Sequence, residues 1–190
     1  MAWGARVQFV GVVALTVALG WRGVLALTQP PGFDLSHPAI RETAWLAVAA
    51  WALGWPLAWR GRGALVWCWG ALTAAFHVAV ATHVGHDWSH ADAVRHTAEV
   101  SGVGAGVLVN YAFVAVWLAD AVWLVVGCES YRRRPRGVAW AVHGFLAFVV
   151  VNAAVIFATD WRRGVLWAVV IVGFAMWRWG KASRAPSGAG

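Results

Sequence analysis

Histidine is concentrated in one short part of the sequence. Five of the seven histidines lie between residues 77 and 96. Three of these and one aspartate follow the spacing i, i+3, i+4 and i+7, namely His83, His86, Asp87 and His90. On a continuous helix such residues share one face. Imidazoles on successive turns can bind one transition-metal ion, and a carboxylate can add a ligand.

This pattern predicts a metal or haem site at a corner of the chain, over about residues 83–100. We expect His83, His86 and His90 to be the ligands, with Asp87 and His96 as auxiliary ligands or as hydrogen-bonding partners of the ligands. Imidazole combined with carboxylate suits Zn or Cu, and histidines could instead bind the iron of a haem. The alternative interpretation is that the histidines only hydrogen-bond to lipid headgroups, backbone or water.

A second pattern in the same segment competes with the continuous helix. Ser89 and Asp92 have the spacing of a capping box, in which the serine caps a helix that begins near His90. The chain would then turn between two helices, and the histidines would approach each other from both. In either case we place this corner on the outer face of a membrane.

Further polar residues lie inside apolar segments. At a rise of 1.5 Å per residue, His77, Asn110 and Asn152 lie at similar depths, about 9–11 Å below the outer ends of their helices. We expect them to form one layer of interhelical hydrogen bonds, each worth about 0.6 kcal/mol on average.

Asp120 and His143 form the second intramembrane group. Each lies about 8–10 Å from the inner boundary of its apolar segment by the same rise. An aspartate in hydrocarbon costs about 2.5–3.5 kcal/mol on insertion scales, so it needs a partner. His143 is the best candidate by depth. The pair could be structural, or it could relay protons.

The composition indicates what surrounds these residues. The chain has 190 residues, of which 61% are hydrophobic and 12% charged, with sixteen tryptophans. The charged share is about half that of a soluble domain. Disorder, a disulfide scaffold and an ordinary soluble enzyme are therefore excluded. The sequence has no phosphate-binding loop, GxSxG or HExxH motif, and whether the protein is an enzyme stays open.

The apolar segments predict an all-α, polytopic membrane bundle with six transmembrane helices. A span needs about 20 mostly apolar residues. The six segments are Val7–Leu27, Ala44–Trp59, Ala64–His83, Val103–Gly127, Val138–Ala158 and Val165–Trp179. If the first is a cleaved signal peptide, five helices remain. Residues 1–181 would form one domain, and residues 182–190 a disordered tail.

The distribution of positive charge predicts the orientation. Ten of the fifteen Lys and Arg residues fall on one side, which we assign to the cytoplasm with both termini. These are Arg6, Arg60, Arg62, Arg132, Arg133, Arg134, Arg136, Arg178, Lys181 and Arg184. The net charge of +7 therefore reflects membrane topology, and we expect a multi-pass inner-membrane protein that contacts lipid and does not bind nucleic acid.

Cys68 and Cys128 have no metal-ligand spacing and are interpreted as packing residues.

Three functions remain open on the sequence alone. The first is binding of a metal or haem at the histidine-rich corner. The second is an accessory or assembly subunit of a membrane complex, without chemistry of its own, in which the tryptophans and small residues pack against other subunits. The third is a proton-coupled carrier that uses Asp120 and His143.

Overall fold

The computed structural model describes residues 20–156, together with Val13, Thr16 and Val17. The sixth predicted span and the predicted tail at 182–190 lie outside the described residues, as does most of the first span. Every regular element in the described part is a helix. These are α1 (residues 20–27), α2 (Pro38–Ala58), α3 (Ala64–His86), α4 (His90–Ser101), α5 (Gly106–Val126), α6 (Cys128–Arg132) and α7 (Arg136–Ile156).

Local sequence explains where α2 begins and how it turns into α3. Pro38 occupies the first turn of α2, and the His37 ring accepts a hydrogen bond from the Ala39 N–H at 3.2 Å. After α2, Gly61 (φ 64°) and Gly63 (φ 69°) adopt left-handed backbone conformations that favour glycine. The resulting tight turn packs α2 antiparallel to α3, which is the most extensive helix pair of the described chain.

Helices α2, α3, α5 and α7 share one apolar core. Its largest fully buried side chains include Trp67, Trp117, Leu124, Tyr131 and Leu146. The indole of Trp117 packs directly on Gly70, where a Cβ atom would overlap its ring. Because α3 carries a glycine at this crossing, α3 and α5 approach closely enough to bury both tryptophans.

The loops gather at two opposite ends of the bundle. The Gly32 N–H donates to the His83 carbonyl at 3.0 Å, which joins the loop before α2 to the end of α3. We call this the histidine end (residues 28–37 and 87–105). The Arg132 Nε donates to the Gly61 carbonyl at 3.2 Å, which joins the α2–α3 turn to α6. We call this the arginine end (residues 59–63 and 127–135).

Three helices of the described chain are long and apolar enough to cross a membrane, namely Ala64–His86, Gly106–Val126 and Arg136–Ala153. The described residues thus confirm an all-helical fold with three candidate membrane spans. The predicted number of six spans and the predicted position of the termini are not confirmed. Helix α2 is absent from the set although it has 21 residues. It carries Arg41, Glu42 and Pro56, and Glu42 accepts a hydrogen bond from Arg22 of α1.

Candidate functional site

The histidine-rich corner is a turn between two helices. Helix α3 ends at His86, and Asp87 (φ 46°) and Trp88 (φ 59°) both adopt the left-handed conformation. The Ser89 hydroxyl then accepts a hydrogen bond from the Asp92 N–H at 3.2 Å, and α4 begins at His90. The predicted serine cap and the predicted helix start near His90 are therefore confirmed, whereas the Ser89 N–H donates to the His86 carbonyl at 2.7 Å and not to Asp92. The continuous helix that would have aligned four ligands on one face is not formed.

His83 fastens the loop before α2 to this corner. Its ring is almost completely buried, and its Nε2 lies 2.8 Å from the Gln29 carbonyl oxygen. Its Nδ1 accepts a hydrogen bond from the Trp88 indole at 3.0 Å. Because Nδ1 accepts, Nε2 carries the proton and donates to Gln29. Both ring nitrogens thus serve the fold, which leaves neither for a metal.

We expect His83→Ala to destabilise the protein and to release the loop over residues 28–34. The substitution removes a buried ring together with its hydrogen bonds to Gln29 and Trp88, each of which contributes about 0.5–1.5 kcal/mol. Thermal unfolding in detergent and limited proteolysis of the loop measure the two effects. His90→Ala is the matched control, since His90 is exposed. Equal stability of the two variants would contradict the structural role of His83.

The other predicted ligands do not converge. The rings of His86 and His96 lie 5.7 Å apart, whereas His90 Nδ1 lies 3.3 Å from the Tyr111 hydroxyl on α5. Asp87 is exposed at the turn. Within the described part of the chain, no group of three or more His, Cys, Asp or Glu residues is placed to hold a metal ion. The structure therefore does not support the predicted metal site, because the turn after His86 separates its ligands.

The predicted polar layer is only partly formed. His77 Nδ1 lies 3.1 Å from the Thr43 hydroxyl, so it makes an interhelical hydrogen bond between α3 and α2. Asn110 and Asn152 are exposed on α5 and α7. Depth along a helix was predicted from residue number, but the rotation of each helix about its axis was not. Because Asn110 and Asn152 are exposed rather than turned toward His77, the three residues do not form the predicted layer in the described part of the chain.

The strongest polar cluster lies near the arginine end and contains Asp120 of α5. Its side chain is 4% exposed. One carboxylate oxygen, Oδ2, accepts a hydrogen bond at 2.8 Å from the Trp67 indole and another at 2.8 Å from the Tyr131 hydroxyl. The other oxygen, Oδ1, is buried and has no hydrogen-bond partner among the described residues. Asp120 is thus held through Oδ2 alone, by two donors from different helices.

His143 of α7 belongs to the same cluster. Its ring lies between the indoles of Trp59 and Trp67, at centroid distances of 5.1 and 5.5 Å. Its Nε2 accepts a hydrogen bond from Arg134 at 2.9 Å and lies 3.4 Å from the Tyr131 hydroxyl. The predicted partnership of Asp120 and His143 is therefore indirect. Tyr131 lies between the two residues.

Arg134 places a positive charge beside this cluster. Its guanidinium carbon lies 3.6 Å above the Tyr131 ring centre, and one of its nitrogens donates to the Tyr131 carbonyl at 3.0 Å. Tyr131 itself is completely buried. Burial raises the pKa of the Tyr131 hydroxyl above its ordinary value, and the Asp120 carboxylate raises it further. Tyr131 is therefore a neutral donor to Asp120.

We call Asp120, Trp67, Tyr131, His143 and Arg134 the Asp120 network. Sequence analysis identified Asp120 and His143 but missed the other three residues. Tyr131 is one of only two tyrosines and directly precedes the arginine run, which is the signal that could have identified it. Trp67 carried no signal, because sixteen tryptophans make any single one uninformative.

The network reaches the surface at the arginine end. A pocket of about 560 Å³ opens there, and both Tyr131 and Arg134 contribute to its walls. The Asp120 network therefore shares two residues with this pocket. Comparison of the chain with protein-family models, with curated proteins and with solved structures finds no match.

Proposed function

We propose that the protein is a multi-pass inner-membrane protein that takes up and releases a proton at Asp120, as the coupling step of a proton-coupled carrier. The observations that support this proposal are that the Tyr131 hydroxyl donates a hydrogen bond to the Asp120 carboxylate, that the Tyr131 oxygen lies 3.4 Å from His143 Nε2, and that Arg134 donates to the same Nε2. Ionisable groups inside a membrane are costly and are functional by default. Here, such a group is connected to a pocket at the end of the bundle.

The proton would pass through the Tyr131 hydroxyl. A proton that arrives at His143 Nε2 makes the imidazole a cation. His143 then gives that proton to the Tyr131 oxygen while the Tyr131 hydroxyl gives its own hydrogen to Asp120 Oδ2. After the step, Asp120 is a neutral carboxylic acid, Tyr131 again has one hydrogen and His143 is neutral. Net transport then requires that Asp120 releases the proton toward the opposite side of the membrane before the cycle repeats.

Arg134 would control the entry to this path. Its hydrogen bond to His143 Nε2 occupies the atom at which the proton must arrive. While it is in place, its charge favours ionised Asp120 and neutral His143. The side chain must therefore turn away before His143 accepts a proton, and the 3.4 Å separation between Tyr131 and His143 must shorten. We infer that Arg134 is a positioning residue and gate.

We propose in addition that the arginine end of the bundle faces the cytoplasm. Six spans with both termini in the cytoplasm would place the arginine end inside and the histidine end outside, as the positive-inside rule favours. Exposed apolar side chains on the three candidate spans, such as Leu65, Val126 and Phe148, support direct contact with lipid.

Cysteine labelling measures this orientation. In a Cys68→Ala, Cys128→Ala background, we expect a membrane-impermeant maleimide to label Glu99→Cys in intact spheroplasts and to label Arg133→Cys only after lysis. Glu99 is exposed in the last turn of α4, and Arg133 is exposed directly after α6. Labelling in the opposite order would reverse the proposed orientation.

Proton flux in reconstituted vesicles tests the function. Purified protein is incorporated into vesicles that contain a pH-sensitive dye, and a pH gradient is imposed. We expect faster equilibration than in protein-free vesicles, and loss of this difference in Asp120→Asn. The rival hypothesis of an accessory subunit predicts no flux from either protein, and co-purification with a larger complex whose assembly survives Asp120→Asn.

A further inference from the structure

The pocket at the arginine end combines residues that are distant in the sequence. Arg60 and Gly61 from the α2–α3 turn meet the segment that contains α6 and the start of α7. The arginines that line the pocket are Arg60, Arg132, Arg134 and Arg136. From the sequence, the cluster Arg132–Arg136 is interpreted as a topology determinant, with binding of anionic lipid as the alternative. Neither interpretation requires that these arginines share one cavity with Arg60.

The described wall of this pocket carries positively charged side chains and no negatively charged ones. None of the described residues that line it is acidic. Helix α7 begins at Arg136 and has no acidic residue in its first turn, so its N-terminal partial positive charge adds to that of the arginines. The only glutamate of this region, Glu129, pairs with Arg133 at 2.8 Å, and Arg133 does not line the pocket.

Two of the arginines are held in place by backbone groups rather than by carboxylates. Arg132 donates through Nε to the Gly61 carbonyl, and Arg134 donates to the Tyr131 carbonyl. Each guanidinium has five N–H donors, so these bonds leave donors for a ligand. Guanidinium groups match the oxygen geometry of phosphate, which they bind through paired hydrogen bonds.

The wall of the pocket also contains aromatic side chains. Trp59 and Trp140 make an edge-to-face contact at 4.9 Å between ring centres, and both line the pocket. Tryptophan is enriched at the level of lipid headgroups, where one part of the ring is apolar and the other is polar. The volume of about 560 Å³ falls within the usual range for sites that hold small organic ligands.

We propose that this arginine pocket, formed by the α2–α3 turn and the α6–α7 segment, is a binding site for a phosphate group at the membrane surface. The phosphate belongs either to a lipid headgroup or to a soluble anion, and the charge and hydrogen-bond donors of the pocket serve both. The site shares Arg134 and Tyr131 with the Asp120 network, but Arg132 and Arg136 belong to the pocket alone, so phosphate binding can be tested apart from proton transfer by Asp120.

Binding is measured on the purified full-length protein with two probes. Inorganic phosphate is titrated against protein in a zwitterionic detergent, and retention of phosphatidic acid is compared with that of phosphatidylcholine in nanodiscs. We expect Arg136→Gln to weaken binding about tenfold, as does the loss of one charge-assisted hydrogen bond. Arg133→Gln is the matched control, because it removes the same charge outside the pocket. Equal weakening by the two variants would overturn the site in favour of general attraction to a basic surface.

A variant that keeps every charge tests the geometry. In Gly61→Ala, the new Cβ would lie 2.5 Å from Arg132 Cγ, so the Arg132 side chain must move. We expect weaker phosphate binding with the arginines still present. Gly102→Ala is the control, since Gly102 also has a left-handed backbone (φ 78°) and nothing lies within 4 Å of a Cβ there. Unchanged binding in Gly61→Ala, with the fold intact by circular dichroism, would contradict the arrangement proposed for Arg132.

The two probes distinguish the source of the phosphate. Selective retention of phosphatidic acid without saturable binding of inorganic phosphate identifies a lipid site, and saturable binding of inorganic phosphate identifies a soluble anion. If neither inorganic phosphate nor phosphatidic acid binds above the background measured with phosphatidylcholine, the proposal is overturned. Asp120→Asn should bind phosphate as the wild type does, so failure of the proton relay and failure of this site are separate results.

Discussion

Asp120→Asn is expected to reduce proton flux through the reconstituted protein by about a hundredfold or more, the range in which loss of a proton-transfer group falls. Asparagine has nearly the same shape as aspartate, and its amide oxygen can still accept the hydrogen bonds from Trp67 and Tyr131. It cannot take up a proton at neutral pH. The loss of flux should therefore occur without collapse of the helix packing around α5.

The control for this variant is Asp92→Asn. Asp92 pairs with Arg95 on the surface of α4, at the opposite end of the bundle. Asp92→Asn changes the same chemical group without touching the Asp120 network. Because exposed ion pairs contribute little, we expect the flux to stay within about twofold of the wild-type value. If Asp120→Asn conducts protons as fast as the wild type, the proposed proton path through Asp120 is contradicted.

Tyr131→Phe is expected to interrupt the path while preserving most of the packing. Phenylalanine keeps the aromatic ring in the core, against Trp123 and beneath Arg134. It removes the hydroxyl through which the proton passes between His143 and Asp120. We expect flux to fall by about a hundredfold. We also expect a loss of about 1–3 kcal/mol in the free energy of unfolding, because Asp120 loses a buried donor.

Tyr111→Phe is the matched control, since Tyr111 is the other tyrosine of the chain. Its hydroxyl lies 3.3 Å from His90 Nδ1 at the histidine end, and its side chain is half-buried. We expect nearly wild-type flux and stability. Flux and stability are measured on the same preparations, so a protein that unfolds is separated from one that folds but does not conduct protons. A stable Tyr131→Phe variant with full flux would show that the proton takes another path.

The sequence predicted the helical class and much of the local structure correctly, because these depend on short-range patterns. The capping pair Ser89 and Asp92 predicted where α4 begins, and hydropathy predicted the three candidate spans. Local signals of this kind act within a few residues. They need no information about how the helices pack.

The sites were harder to predict because they depend on helix rotation and on loop geometry. Asp120 and His143 were correctly placed at the same end, but Tyr131, which lies between them, comes from a short helix of five residues. At the other end, the density of histidines suggested a metal site. The structure instead uses His83 to hold a loop and separates the remaining histidines at a turn.

The most direct test of the account is whether the Asp120 carboxyl gains a proton through Tyr131. Infrared difference spectroscopy of the reconstituted protein after a drop in pH measures the carbonyl stretch of a protonated carboxylic acid. The account predicts a band that is absent from Asp120→Asn, unchanged in Asp92→Asn and delayed in Tyr131→Phe. A band that persists in Asp120→Asn, or that forms equally fast in Tyr131→Phe, would contradict it.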